Sequence, residues 1–243
     1  MQRSHLTRRA LLAGALLAAL SAAPAHAATD ATTPSAPTAK LAYTAKILIT
    51  TNVFKQPGKG IETSLPTHAQ WGGGPHVLLV LDSREFKGKT WLRVALPERP
   101  NGSSGWIRED FVRLGTTPWR ITINRASHLV TVYHLGRKTR SFTSVIGAPA
   151  TPTPRGLYAI YEKLAQDDPK GFLGPWALHL TAFSNVLFNY GGGPGRVAIH
   201  GRDGTSLKDP LGSSRSHGCI RVDDANITWM AHVIPLGTPV MIT

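Results

Sequence analysis

Cysteine is almost missing from this 243-residue sequence, which holds one, Cys219. A lone cysteine cannot pair within its own chain, so a disulfide-stapled scaffold is excluded. Acidic residues are also scarce: 14 stand against 27 Lys and Arg, a formal charge of +13. That imbalance points to anionic surroundings such as nucleic acid, acidic polymers or an anionic membrane surface. Aromatics make up only 7% of the chain, yet 42% of it is hydrophobic. This is enough for one large domain or two small ones and excludes disorder as a description of the whole. The apolar run from Ala10 to Leu20 spans 11 residues, too short to cross a bilayer.

That run has another reading. Arg3, Arg8 and Arg9 precede it and Ala25-His26-Ala27 follows it, the order of a secretory signal peptide covering residues 1–27. Thr7-Arg8-Arg9-Ala10-Leu11-Leu12 also resembles a twin-arginine signal, which leaves the export route open. Loss of this segment reduces the basic residues to 24 against 14 acids, a net charge of +10. The expected location is the periplasm or the cell wall and extracellular space, with no transmembrane anchor in the mature chain. An exported basic protein has little access to nucleic acid, and no basic helix or Cys/His finger is present. Carboxylate-rich or phosphate-rich wall polymers are the expected partners.

Residues 28–42 are rich in Ala, Thr and Pro and read as a flexible linker. Short strand signals follow at Ala45–Thr50, Val77–Asp82, Thr90–Leu96, Gly105–Ile107 and Phe111–Leu114, separated by Gly- and Pro-rich breaks. Five or six short strands suggest a small all-β barrel over residues 43–114. In Trp119–Asn124 apolar and polar residues alternate, as in a half-buried strand. Further strand signals cover His128–His134, Thr139–Ile146, Leu157–Tyr161 and Val240–Ile242. Ile227, Met230, Ala231 and Ile234 fall at i, i+3, i+4, i+7, the pattern of one C-terminal amphipathic helix, with Asp223 or Asp224 as its cap. The fold expected is mainly β, and neither internal repeats nor heptads are found.

The chemistry-bearing residues lie near the end. Val197-Ala198-Ile199-His200-Gly201 reads as a strand ending in a histidine. A polar loop, 202–215, leads to Ser216-His217-Gly218-Cys219-Ile220-Arg221. If the two strands are neighbours, His200 and Cys219 meet although 19 positions separate them. Cysteine reacts as the thiolate, so it needs a base, and an imidazole can take its proton. A backbone carbonyl at Gly201 or Arg202 could hold that imidazole in one tautomer. The consecutive amides of His217, Gly218 and Cys219 could receive a developing oxyanion. Two bland alternatives stand beside this: a small buried cysteine with no chemistry, and a zinc site from His200, His217 and Cys219.

His200-Gly201, the intervening loop and Ser216-His217-Gly218-Cys219-Ile220-Arg221 resemble the signature of the L,D-transpeptidase catalytic domain (YkuD-like) family. The likeness continues upstream through Trp119, Ser144–Gly147 and Thr153-Pro154-Arg155-Gly156, and downstream through Leu236–Val240, so it covers residues 118–243. Residues 43–114 resemble the bacterial SH3-like domain through Trp91-Leu92-Arg93-Val94, Gly105-Trp106-Ile107 and Val112-Arg113-Leu114. That module could bind the wall or simply position its neighbour.

The first resemblance implies a β-rich catalytic domain in which Cys219 is the nucleophile and His200 the general base. Ser216, His217, Gly218 and Gly201 would support the site and the oxyanion. Arg221 would meet a substrate carboxylate, an Arg paired within the fold being the alternative. Residues 163–196 match least and read as a substrate-covering loop. The activity implied is peptidoglycan L,D-transpeptidation on stem peptides, without metal or organic cofactor. Hydrolysis by the same residues would make an L,D-carboxypeptidase. A wall-lytic cysteine endopeptidase and a non-catalytic wall-binding protein are the rivals, the first disfavoured because its Cys precedes its His.

Overall fold

A computed structural model describes residues 33–243. The expected signal peptide and the first part of the expected linker lie outside the described residues. Seven strands follow in order: β1 (Ala42–Ile47), β2 (Thr51–Gln56), β3 (Lys59–Leu65), β4 (Val77–Phe86), β5 (Lys89–Ala95), β6 (Ser104–Arg108) and β7 (Val112–Thr117). They join antiparallel in the order β3-β2-β6-β5-β4-β1-β7. Inward-facing Ala45, Ile47, Val53, Leu78, Val80, Leu92, Val94 and Ile107 form their core. The hairpin of β2 and β3 was not legible as two strands, because β3 is exposed along almost its whole length and shows no apolar period. β1 begins inside the segment read as linker, and Ser83 Oγ donates to the Pro34 carbonyl there. The stretch before β1 is therefore partly attached to the sheet.

The second set comprises β8 (Trp119–Asn124), β9 (Leu129–His134), β10 (Arg137–Thr143), β11 (Ile146–Gly147), β12 (Gly156–Ala165), β13 (Trp176–Phe183), β14 (Arg196–His200), β15 (Ser214–Ser216), β16 (Ile220–Arg221) and β17 (Pro239–Ile242), with helix α1 at Asp224–Val233. Eight of them make one sheet in the order β10-β9-β8-β17-β12-β13-β14-β16. β11 and β15 pair separately and in parallel. Alternate residues Ile121, Ile123, Val130, Val132, Leu178 and Leu180 enter the core, and α1 covers them with Ile227, Met230 and Ala231. Among the described residues the fold is thus mainly β with one α-helix, as the periodicities suggested. Among the described residues no helix is long and apolar enough to cross a membrane.

Residues 163–196 require a correction. They are not one covering loop, because β13 runs through them as an interior strand between β12 and β14. Its sequence, Trp-Ala-Leu-His-Leu-Thr-Ala-Phe, is buried on both faces over much of its length and so lacks a clean alternation. Only the segments flanking β13 can cover a site. The two sheets meet where Ala42, Leu79 and Ala95 of the first pack on Ala159 of β12.

Candidate active site

β14 and β16 lie side by side and in parallel, with Ile199 opposite Ile220 and His200 opposite Arg221. This pairing brings Cys219, the residue just before β16, next to the end of β14, where the Ala198 amide faces its sulfur. His200 and Cys219 line one cavity of about 80 Å³ together with His217, Arg221, Phe172 and Tyr190. The 19-residue separation is therefore closed by a single strand pairing.

His200 is 1% exposed, and its Nδ1 lies 2.6 Å from the Gly201 carbonyl oxygen. A carbonyl can only accept, so Nδ1 carries the proton and Nε2 a free lone pair. Burial is the main cause that pushes the His200 pKa down to about 4, reinforced by the Arg221 charge. The ring is thus neutral near pH 7. Burial also raises the Cys219 thiol above its ordinary value, against the opposing pull of the Ala198 amide and Arg221. Among the described residues no hydrogen bond joins the thiol to the imidazole. Both partners rest uncharged.

Gly201 sits where a side chain has no room, since a Cβ would lie 2.3 Å from Asp224 Oδ1. That carboxylate accepts the Arg202 amide at 2.8 Å, which fixes the chain just after the carbonyl that orients His200. Asp224 is thus engaged with the site, and Asp223 occupies the helix cap position without a side-chain bond.

The Ser216–Cys219 turn is held from within and from without. Ser216 Oγ donates to the Cys219 carbonyl at 2.6 Å and accepts the Gly218 amide at 3.1 Å. Gly218 has φ +116°, a conformation open in practice only to glycine. From outside, Thr153 Oγ1 donates to the Gly218 carbonyl at 2.9 Å and Thr151 Oγ1 to the Ser216 carbonyl at 3.1 Å. In the sequence Thr153 stands out only within the stretch that resembles the family. The role of both threonines as braces depends on tertiary contacts across 65 positions that no period reveals.

Two of the expected site residues have partners within the fold. The Gly218 amide is engaged by Ser216, which leaves the His217 and Cys219 amides of the expected three without that bond. Arg221 follows the structural alternative. It is 3% exposed, its Nη1 lies 2.5 Å from Asp209 Oδ2, and its guanidinium lies 4.6 Å from the centre of the Phe172 ring. It edges the cavity as an internally paired cation. His217, by contrast, is exposed, and its ring stacks on Tyr190 at 4.9 Å.

The family profile of the L,D-transpeptidase catalytic domain matches residues 118–242. The chain is 30% identical over 128 residues to the YkuD protein of Bacillus licheniformis, whose naming as an L,D-transpeptidase is itself an inference. That match spans 53% of this chain and 67% of the relative. The Bacillus subtilis counterpart, named in the same way, is 28% identical over 127 residues, spanning 52% of this chain and 67% of its own. Among solved structures, an L,D-transpeptidase from Mycobacterium smegmatis aligns with a TM-score of 0.40 and 17% identity, over 63% of this chain and 90% of that one.

Proposed function

Because this chain belongs to the L,D-transpeptidase catalytic domain family, we propose that it is an exported enzyme that cross-links peptidoglycan stem peptides through a thioester on Cys219. The observation that carries this reading is the His200 ring, anchored at Nδ1 by the Gly201 carbonyl and lining the same cavity as Cys219.

In the first half-reaction the Cys219 sulfur bonds to the carbonyl carbon of the L,D-peptide bond before the terminal D-Ala of a tetrapeptide stem. Its proton passes to His200 Nε2. Since the resting thiol and imidazole are both neutral, that transfer accompanies C–S bond formation. The amides of His217 and Cys219 donate to the tetrahedral oxyanion. The C–N bond then breaks, His200 returns the proton to the departing amine, and D-Ala leaves a thioester behind.

In the second half-reaction the side-chain amine of a neighbouring stem's diamino acid attacks the thioester carbonyl and gives a proton to His200. The C–S bond breaks, the sulfur recovers the proton, and a 3→3 cross-link remains. Arg221, held by Asp209, contributes positive potential at the edge of the cavity. In this reading residues 43–114 are a bacterial SH3-like module, and the expected mature charge of +10 suits an anionic wall.

Intact-protein mass spectrometry after treatment with a carbapenem tests the acyl-enzyme. An adduct on the wild type that is lost in Cys219→Ala is the expected result, and no adduct on either protein overturns it. Muropeptide analysis then separates transfer from hydrolysis: a gain of cross-linked dimers supports the first, and shortened stems without dimers assign the L,D-carboxypeptidase instead.

A further inference from the structure

Residues Ser184–Gly195 leave β13 and return to β14 as a loop over the catalytic cavity, where Ser184, Leu187, Tyr190 and Gly195 form part of the lining. Its neck is closed by the Ser184 amide donating to the Gly195 carbonyl at 2.8 Å. Gly195 has φ +71°, and a Cβ there would lie 1.9 Å from the Leu187 carbonyl oxygen. The tip is a tight turn in which Tyr190 and Gly193 exchange backbone hydrogen bonds of 2.9 and 3.1 Å. Between them Gly191 and Gly192 both take positive φ, as a two-residue hairpin turn requires. A cavity of about 80 Å³ is well below the roughly 300 Å³ where small-molecule sites begin. A stem peptide reaching this cavity therefore passes the Tyr190 and Gly195 wall that the loop supplies.

The neck is tied to the other sheet. Arg99, in the turn between β5 and β6, donates to the carbonyls of Ser184, Leu187 and Pro194 at 2.6, 3.1 and 2.9 Å. The face of the same guanidinium lies 5.0 Å from the Phe183 ring and 4.4 Å from the Phe188 ring. Asn101 donates to the Phe183 carbonyl at 2.7 Å and to Asn185 Oδ1 at 2.9 Å, and accepts the Phe183 amide at 2.8 Å. Arg99 takes part in none of the ion pairs found among the described residues. Its charge is directed entirely at loop carbonyls and aromatic faces.

We propose that Arg99 and Asn101 are positioning residues that clamp the neck of the 184–195 loop over Cys219, so that the Tyr190–Gly193 tip alone swings aside to admit substrate. The first sheet then acts on the reaction by shaping the cavity's cover, whether or not it also binds the wall. The proposal rests on Cys219 being the nucleophile only for its kinetic consequence, since the clamp itself is a statement about loop stability.

The test uses the full chain with Arg99→Ala, Arg99→Lys and Asn101→Ala, and reads two things. The first is native-state chymotrypsin cleavage at Leu187, Phe188 and Tyr190, which needs no catalysis. Loss of three charge-assisted bonds in Arg99→Ala should speed cleavage there by at least about tenfold, with cleavage elsewhere unchanged. Lys keeps the charge but not the fork, so Arg99→Lys should fall between wild type and Ala. The second is carbapenem acylation: the half-saturating concentration should rise while the limiting rate changes little. Unchanged cleavage and unchanged half-saturation in folded variants overturn the clamp, and so does cleavage that rises equally along the whole chain. Should Arg99→Ala not fold, Arg99→Lys and Asn101→Ala decide by the same measurements. Faster loop cleavage with no acylation of the wild type would leave the clamp standing and remove the proposed activity.

Discussion

His200 Nδ1 donates to the carbonyl of its own neighbour, Gly201, over 2.6 Å, and the polarity of that bond dictates a pH profile. With the proton on Nδ1, Nε2 is basic only while the ring is neutral, and burial holds the ring's pKa down to about 4. Acylation of Cys219 should therefore rise as pH increases through about 4 and then stay level through neutrality. The thiol does not interrupt that plateau, because burial raises its pKa above the ordinary value. Iodoacetamide, which needs the thiolate, should accordingly react with Cys219 more slowly at pH 7 than with free cysteine. His200→Ala should slow acylation by about a hundredfold or more while leaving the protein folded. An acid limb centred between pH 6 and 7 would instead assign the base to a solvent-exposed histidine.

The same burial makes the fold sensitive to acid. His179 also has its pKa lowered to about 4, by burial first and by the charge of Arg196 second, and among the described residues its buried Nδ1 has no hydrogen-bond partner. In the unfolded chain both imidazoles take up a proton near pH 6.5, whereas the native ones do so only near 4. Stability is then complete above 6.5 and falls as pH drops from 6.5 toward 4, by about 3 kcal/mol for each group. Urea midpoints measured between pH 7 and 5 should decline before ordinary carboxylates titrate, and His179→Gln should flatten part of the slope. A midpoint constant across that interval would mean these rings are not held neutral by the fold.

What could be read from the sequence had a local period or a covalent neighbour. Ile227, Met230, Ala231 and Ile234 mark α1 because a helix returns to the same face every three or four residues, and all four are buried. The Trp119–Asn124 alternation marks β8 for the corresponding reason in strands. His200 and Cys219 were legible because each stands at a strand end beside Gly, and Gly201 because the tautomer anchor is the next residue. Asp209 was not legible as the partner of Arg221, since it lies 12 residues away in an aperiodic polar loop. Thr151, Thr153 and Arg99 brace the site through backbone carbonyls far along the chain. Carbonyls carry no residue identity, so such bonds leave no trace in composition or spacing.

The Ser216–Cys219 turn yields a prediction that separates catalysis from stability. Ser216→Ala removes both the bond to the Cys219 carbonyl and the acceptor for the Gly218 amide. Gly218→Ala leaves those bonds in place but forces a Cβ onto φ +116°, with the nearest outside atom 3.7 Å away. The difficulty there is backbone strain and not a clash, of roughly 1–3 kcal/mol. Both variants should lower the melting temperature modestly, and both should slow acylation by more than about tenfold, because the amides flanking Cys219 lose their direction. Cys219 in either variant that acylates at the wild-type rate would show that the turn does not form the oxyanion pocket.

Arg221 separates a paired internal cation from a substrate ligand by the location of the damage when its partner is removed. Its side chain is 3% exposed and that of Asp209 25%, with 2.5 Å between Nη1 and Oδ2. A buried guanidinium whose carboxylate is removed keeps its desolvation cost without the compensating attraction, an effect of about 3–5 kcal/mol for a fully buried pair. The partial exposure of Asp209 reduces this, so Asp209→Asn should destabilise by about 2 kcal/mol, which for a chain of this size is a fall of roughly 4–8 °C in melting temperature. Arg221→Met should cost a comparable amount. The double variant should be less harmful than the two single effects added, since neither charge is then left alone. If Arg221 acted mainly on substrate, Asp209→Asn would leave the melting temperature unchanged and Arg221→Met would raise the half-saturating concentration for acylation without touching stability. The pairing geometry calls for the opposite order: a stability defect shared by both residues, and a kinetic defect that follows from a displaced Phe172 and a reshaped cavity edge.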